Sequence, residues 1–214
     1  MNLKTQFSNF LEQNFKGLEI KKPLFYNWDL ALRFDLQKKF TNLVYIDNDD
    51  YFDEVYNRAK KLFKFCFDKE DDIYLVAFSY KWRKQRIKKS NYLFKLIKSD
   101  SETEKIFNRI SNRYESNEKW NRLIVKGKIE NIDTKNLILG LCNTDFSTMK
   151  PCIREEVHLI NINKKLIFHI YDDRGLDILT TDKKILNELY DQFNKWILEY
   201  DRKEIEKQLN KCVG

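Results

Sequence analysis

Apolar residues along the chain fall into two periods. Leu3, Phe7, Phe10, Leu11 and Phe15 recur at steps of three and four, placing them on one face of an opening helix that Gly17 can end. From Trp28 the step drops to two. Trp28, Leu30, Leu32, Phe34 and Leu36 alternate with Asp29, Arg33 and Asp35, as a half-buried strand requires. Helical spacing returns in Val55, Tyr56, Ala59, Leu62, Phe63 and Cys66, with Asp49 or Asp50 placed to cap the helix. Residues 73–78 form a continuous apolar run of strand length, suited to cover on both faces.

Leu93, Phe94, Leu96 and Ile97 suggest a short helix, and the polar residues 99–119 read as helix plus exposed loop. Leu123, Val125 and Ile129 read as a strand, after which Asp133 or Thr134 can cap a helix through Leu137, Ile138 and Leu141. Two strands over 157–162 and 166–171 are separated by Asn163, Lys164 and Lys165, which favours a tight antiparallel hairpin. A third strand, 176–179, follows the turn Asp172, Asp173, Arg174 and Gly175. A last helix from Thr181 or Asp182 is expected to bury Ile185, Leu186, Leu189, Tyr190, Phe193, Trp196, Ile197 and Tyr200. The expected fold is α+β: a mixed, mainly antiparallel sheet with a C-terminal β-meander, packed against several helices. One domain over 1–214 is expected, with halves 1–118 and 119–214 sharing one core as the alternative.

Composition narrows the class. An apolar fraction of 42% with 14% aromatic is enough for a core, and five Gly with two Pro are too few for a linker-rich or many-turned all-β chain. Residues 1–15 lack the continuous apolar centre of a secretory signal, and no window approaches the ~18 apolar residues of a membrane span. Cys66, Cys142, Cys152 and Cys212 show no paired C-x-x-C spacing, as expected of reduced thiols in a cytoplasmic protein with no membrane association. Phosphate-loop, dinucleotide-turn, serine-elbow and H-E-x-x-H patterns are all missing, which removes the usual support for those chemistries. No cofactor is expected.

Several runs resemble a known family. They are Pro23, Leu24, Phe25, Tyr26, Asn27 and Trp28 with Arg33 and Phe34; Tyr56, Asn57, Arg58 and Ala59 with Leu62 and Phe63; Ile73, Tyr74, Leu75 and Val76; and above all Phe168, His169, Ile170, Tyr171, Asp172, Asp173, Arg174 and Gly175. Asn194, Trp196, Ile197, Leu198, Tyr200, Asp201 and Arg202 continue the set. Together they resemble the uncharacterised bacterial family called domain of unknown function 3885, over most of the chain and least over 99–119. The resemblance implies a bacterial origin and carries over no catalytic residue.

Three constellations could carry chemistry. Asp172, Asp173 and Asp177, with His169 close before them, could bind a hard cation or supply a base. The preferred reading is a structured turn in which Asp accepts backbone N–H bonds, Gly175 takes a positive φ and Arg174 pairs with Asp29 or Asp35. His158 and His169 are expected to face each other across the hairpin, since pairing positions sum to about 327 when the turn centres on Asn163 and Lys164. A structural pair is preferred there over a metal or catalytic pair, and no metal is expected. Lys81, Arg83, Lys84, Arg86, Lys88 and Lys89, continued by Lys95 and Lys98, form a stretch free of Asp and Glu that includes Trp82 and Tyr92. It could contact phosphates and bases, or simply keep a surface wet. A net charge of +7 permits either acidic partner, protein or nucleic acid. The expected function is protein binding, with toxin neutralisation of the immunity type as its specific form. Nucleic-acid binding, or a metal-dependent nuclease built on the basic stretch and the acidic turn 172–177, is the alternative.

Overall fold

The structure is a computed structural model that describes residues 1–37, 48–80, 92–98, 103–146 and 148–210. The first amphipathic stretch is α1 (Leu3–Asn14), whose Asn2 side chain accepts the Thr5 backbone N–H at 2.9 Å. The strand expected from Trp28 is shorter, β1 (Ala31–Asp35), because Phe25–Asn27 coil into a 3-10 turn just before it. Helix α2 (Asn48–Cys66) follows, then β2 (Asp72–Tyr80), buried on both faces through its middle. Helix α3 (Tyr92–Lys95) is a single turn, after which Ile97 bridges to Ile132.

Residues 104–111, read from sequence as helix and loop, are instead a strand, β3 (Glu104–Ser111). Its alternation is weak because it ends the sheet order, with Ile106 and Ile110 on the core and Phe107 exposed. Then come β4 (Lys119–Lys128), α4 (Thr134–Cys142), capped by Asp133, and the meander β5 (Glu156–Asn161), β6 (Leu166–Asp172) and β7 (Gly175–Thr180). Helix α5 (Lys183–Gln192) starts at the Asp182 cap, and α6 (Arg202–Asn210) ends the described chain. Helical spacing stops at Gln192, where 3-10 turns take over. Tyr200, expected inside, is therefore 86% exposed, while Asp201 beside it is buried.

All strand pairs are antiparallel, in the order β1-β7-β6-β5-β2-β4-β3, so the chain is α+β. Successive strand side chains point to opposite faces. Phe168 meets Phe63 of α2 and Phe67 just after it on one face, whereas Tyr74 meets Phe7 of α1 on the other. His169, next to Phe168, therefore lies on the α1 side, which the 3-10 turn at Phe25–Asn27 also covers against β1 and β7. No helix among the described residues is long and apolar enough to cross a membrane.

Gly175 lies where β7 leaves the turn and is not in the positive-φ region expected for it. Its lack of a side chain serves a close approach instead. A Cβ there would sit 2.5 Å from the Phe34 carbonyl oxygen and closer still to the Tyr171 hydroxyl. The phenol can swing away, but the carbonyl belongs to the β1–β7 ladder. Gly175→Ala is expected to cost about 1–3 kcal/mol in urea denaturation, and an unchanged midpoint would show that this edge yields easily.

Candidate functional site

Strand register lines polar side chains across the α1-side face. Arg33 stands opposite Asp177, which stands opposite His169. Leu159 opposite Phe168 and Ile160 opposite Ile167 fix the β5–β6 register at the sum read from the turn. The His158 and His169 rings accordingly stack, with centroids 4.1 Å apart and planes inclined by 21°. Glu156, two residues before His158 on the same face, accepts from its Nε2 at 2.8 Å.

At one end of this row, Asp177 accepts Arg33 Nε at 2.7 Å and Nη2 at 3.0 Å, and also the Phe25 backbone N–H at 3.0 Å. Arg33 Nη1 lies 3.5 Å from Asp201, which takes the Tyr26 hydroxyl at 2.7 Å. That bond, helped by burial, raises the Tyr26 phenol to about 12. The guanidinium lies over the rings of Phe25, Tyr26 and Tyr171. Burial alone would lower Arg33, but the bonds and charge of Asp177 reverse this and raise it. This pair is sealed inside the fold.

The acidic turn is dispersed. Asp172 holds Arg174, two residues on, through its backbone N–H and its guanidinium, because the tight turn brings that side chain back on Asp172 rather than to Asp29 or Asp35. Asp173 accepts the Tyr51 hydroxyl, and burial raises its carboxyl above the usual range. With Asp177 bound to Arg33, the three carboxylates are not brought together around one point. Cys152 donates to the Thr144 carbonyl rather than standing beside a base, and Cys66 and Cys142 are buried thiols that burial raises. Lys81, Arg83, Lys84, Arg86, Lys88 and Lys89 lie outside the described residues.

The histidines are fully buried, and burial lowers both, His169 well below its usual value with the neighbouring His158 adding to the effect. Each hydrogen bond then fixes a tautomer. A carbonyl only accepts, so His169 Nδ1 carries the proton that meets Val157 O at 2.8 Å; His158 Nε2 likewise donates to the Glu156 carboxylate. His158 Nδ1 and His169 Nε2 remain buried without a partner among the described residues. Ligand-type atoms of Glu156, His158 and His169 lie within 4.8 Å of one another. A shared metal would have to lie in both ring planes at about 2 Å from each nitrogen, and planes stacked this closely do not converge at that range. The Glu156 oxygens are also committed, one to His158 and Arg113, the other to the Tyr114 hydroxyl at 2.8 Å. His169 stacks on His158, and a hydrogen-bonded chain runs from His158 to Glu156, an arrangement that is not a coordination sphere.

What this chain positions is Arg113. Burial alone would raise the Glu156 carboxyl, but the His158 bond and the Arg113 charge hold it down at about 2. Arg113 leaves the β3–β4 connection, lays its guanidinium 3.5 Å above the Phe78 ring, and uses Nη2 on Glu156 and on the Ile20 carbonyl at 2.7 Å. Its Nε and Nη1 are buried and have no partner among the described residues. Beside it Arg122, opposite Phe78 on β4, donates from Nε to Asn108 at 3.0 Å and pairs with no carboxylate among the described residues. Burial, then the charge of Arg113, lowers the Arg122 guanidinium.

Both arginines line a cleft of about 290 Å³ between α1, the 18–21 segment and the β3–β4 end of the sheet. Its apolar wall is Phe7, Leu11, Leu18, Ile20, Phe78 and Ile110, and Lys21 and Glu19 stand at it as an ion pair. Tyr80, Trp120 and Tyr114 cluster next to it, ring on ring at 5.2 and 5.6 Å. Sequence reading singled out none of Arg113, Arg122 or Glu156. Glu156 had a signal in its two-residue spacing from His158, and Arg122 alternates with Leu123 and Val125, but Arg113 sits in the polar stretch read as loop.

The family model described as Domain of unknown function (DUF3885) matches residues 7–201. The chain is 27% identical over 207 residues to the "Uncharacterized protein YnaE" of Bacillus subtilis (strain 168), covering 89% of this chain and 96% of that protein. No solved structure matches the chain significantly.

Proposed function

The chain belongs to the DUF3885 family of domains of unknown function, and from that starting point we propose that it is a protein-binding module rather than an enzyme. One observation carries this reading: arginines and aromatic side chains gather at a single end of the sheet, around the cleft. Tyr80 and Tyr114 are 45% and 41% exposed there, with Trp120 between them and Arg113 and Arg122 beside them. Tyr, Trp and Arg are the residues that dominate binding energy at protein interfaces. Among the described residues, by contrast, His158, His169 and Asp177 are buried, and Asp177 is held by Arg33 and His158 by Glu156.

The test is affinity capture with the full chain from its native lysate, with and without nuclease, followed by reconstitution from purified components. The expected result is one stoichiometric protein that survives nuclease and rebinds when pure. Neutralisation of a toxin is the specific form if that protein is toxic alone and harmless in the complex. Nucleic acid recovered instead, in an amount that falls steeply with salt, would overturn the reading in favour of the basic stretch.

A further inference from the structure

We infer that the cleft between α1 and the β3–β4 end of the sheet receives one carboxylate of a partner protein, an Asp or Glu side chain flanked by an apolar residue. The inference rests on the protein-binding reading and gives it a site and a chemistry.

Three observations support it. The first is Arg113, whose side chain is 4% exposed yet has two donor nitrogens without an acceptor among the described residues. A buried donor left unmet costs about 1–3 kcal/mol, more when it is charged. Glu156 satisfies only one edge of the guanidinium, and Glu156 is itself locked by His158 and Tyr114, so it cannot turn to serve the rest. An acceptor that displaces the side chains now covering Nε and Nη1 would meet donors already fixed in place.

The second is charge. Lys21 and Glu19 pair with each other, and Glu156 answers Arg113, which leaves Arg122, among the described residues, as the one excess cation of the cleft. A single negative charge balances this, whereas a doubly charged phosphate would exceed it beside the Glu19 carboxylate. The third is the wall. Leu11, Ile20 and Ile110 offer apolar surface next to the two guanidinium groups, so an acidic residue with an apolar neighbour would match both halves of the cleft. Water excluded by that neighbour strengthens the ion pair.

Blocked peptides test this directly: acetyl-Leu-Glu-Leu-amide, its glutamine counterpart and its phosphoserine counterpart, titrated into isotope-labelled full-length protein while the Arg Nε–H resonances are followed. The glutamate peptide should shift the resonances of Arg113 and Arg122 and saturate, and the glutamine peptide should bind at least tenfold more weakly. Arg122→Gln, which keeps a donor for Asn108, should weaken glutamate-peptide binding at least tenfold with Tm little changed. Equal binding of the glutamate and glutamine peptides, no shift with either, or tighter binding of the phosphoserine peptide would overturn the inference. A captured partner that binds Arg122→Gln as tightly as wild type would also overturn it, while leaving the protein-binding reading in place.

Discussion

Asp177→Ala is expected to destabilise the fold by about 3–5 kcal/mol, the cost of leaving a buried charge without its partner. Arg33 is 9% exposed and lies against Phe25, Tyr26 and Tyr171, so it cannot reach water when its bidentate acceptor is removed. The Phe25 backbone N–H loses its acceptor in the same step. Asp201, at 3.5 Å, offers a weaker contact that does not replace it. Asp177→Asn, which keeps one oxygen for the Phe25 N–H or for Arg33, should fall between alanine and wild type. Urea midpoints and slopes for the three proteins decide the matter. A loss under about 1 kcal/mol for the alanine variant would mean that Arg33 finds solvent or Asp201 instead.

Acidification has the second large effect. Burial keeps His158 and His169 neutral in the fold, whereas in the unfolded chain both return to the ordinary value near 6.5. Below that pH the unfolded chain takes up protons that the fold refuses. Stability therefore falls as pH falls, with a slope approaching about 1.4 kcal/mol per pH unit for each ring that stays neutral. Glu156 acts in the same direction at lower pH. Its contribution is complete above the ordinary carboxyl value of 4.5 and is lost as pH falls through the folded value of about 2. Denaturation curves from about pH 8 to about pH 5 should show a steady loss below the ordinary histidine range. His169→Asn, whose amide N–H can still meet the Val157 carbonyl, should lose the larger share of the slope, since His169 is the more strongly lowered of the two. An unchanged slope would show that His169 protonates without leaving the fold.

Local rules carried the reading furthest where they act alone. The β5–β6 register followed from three turn residues, so the facing of His158 and His169 was legible before any contact was known. Asp133 and Asp182 cap their helices through side-chain bonds that a short acidic residue before an apolar stripe announces. The site was less legible. Arg33 reads as the wet face of a half-buried strand, and it is buried only because the turn at Phe25–Asn27 and Asp201 close over it from distant parts of the chain. Strand β3 was missed because a strand at the end of the sheet order needs few apolar residues. With it went Arg113, whose importance depends on Glu156, 43 residues later in sequence.

The position of β1 also bears on how the protein is made. Among the described residues its only strand partner is β7, and Arg33 meets Asp177 across a separation of 144 residues. At the ribosome's pace of about 5–20 residues per second, that interval lasts roughly 7–30 s. Throughout it Leu32 and Phe34, fully buried in the finished fold, have no sheet to join. The nascent chain therefore carries an unpaired apolar strand until β7 has been synthesised. Any truncation before β7 leaves that strand exposed for good.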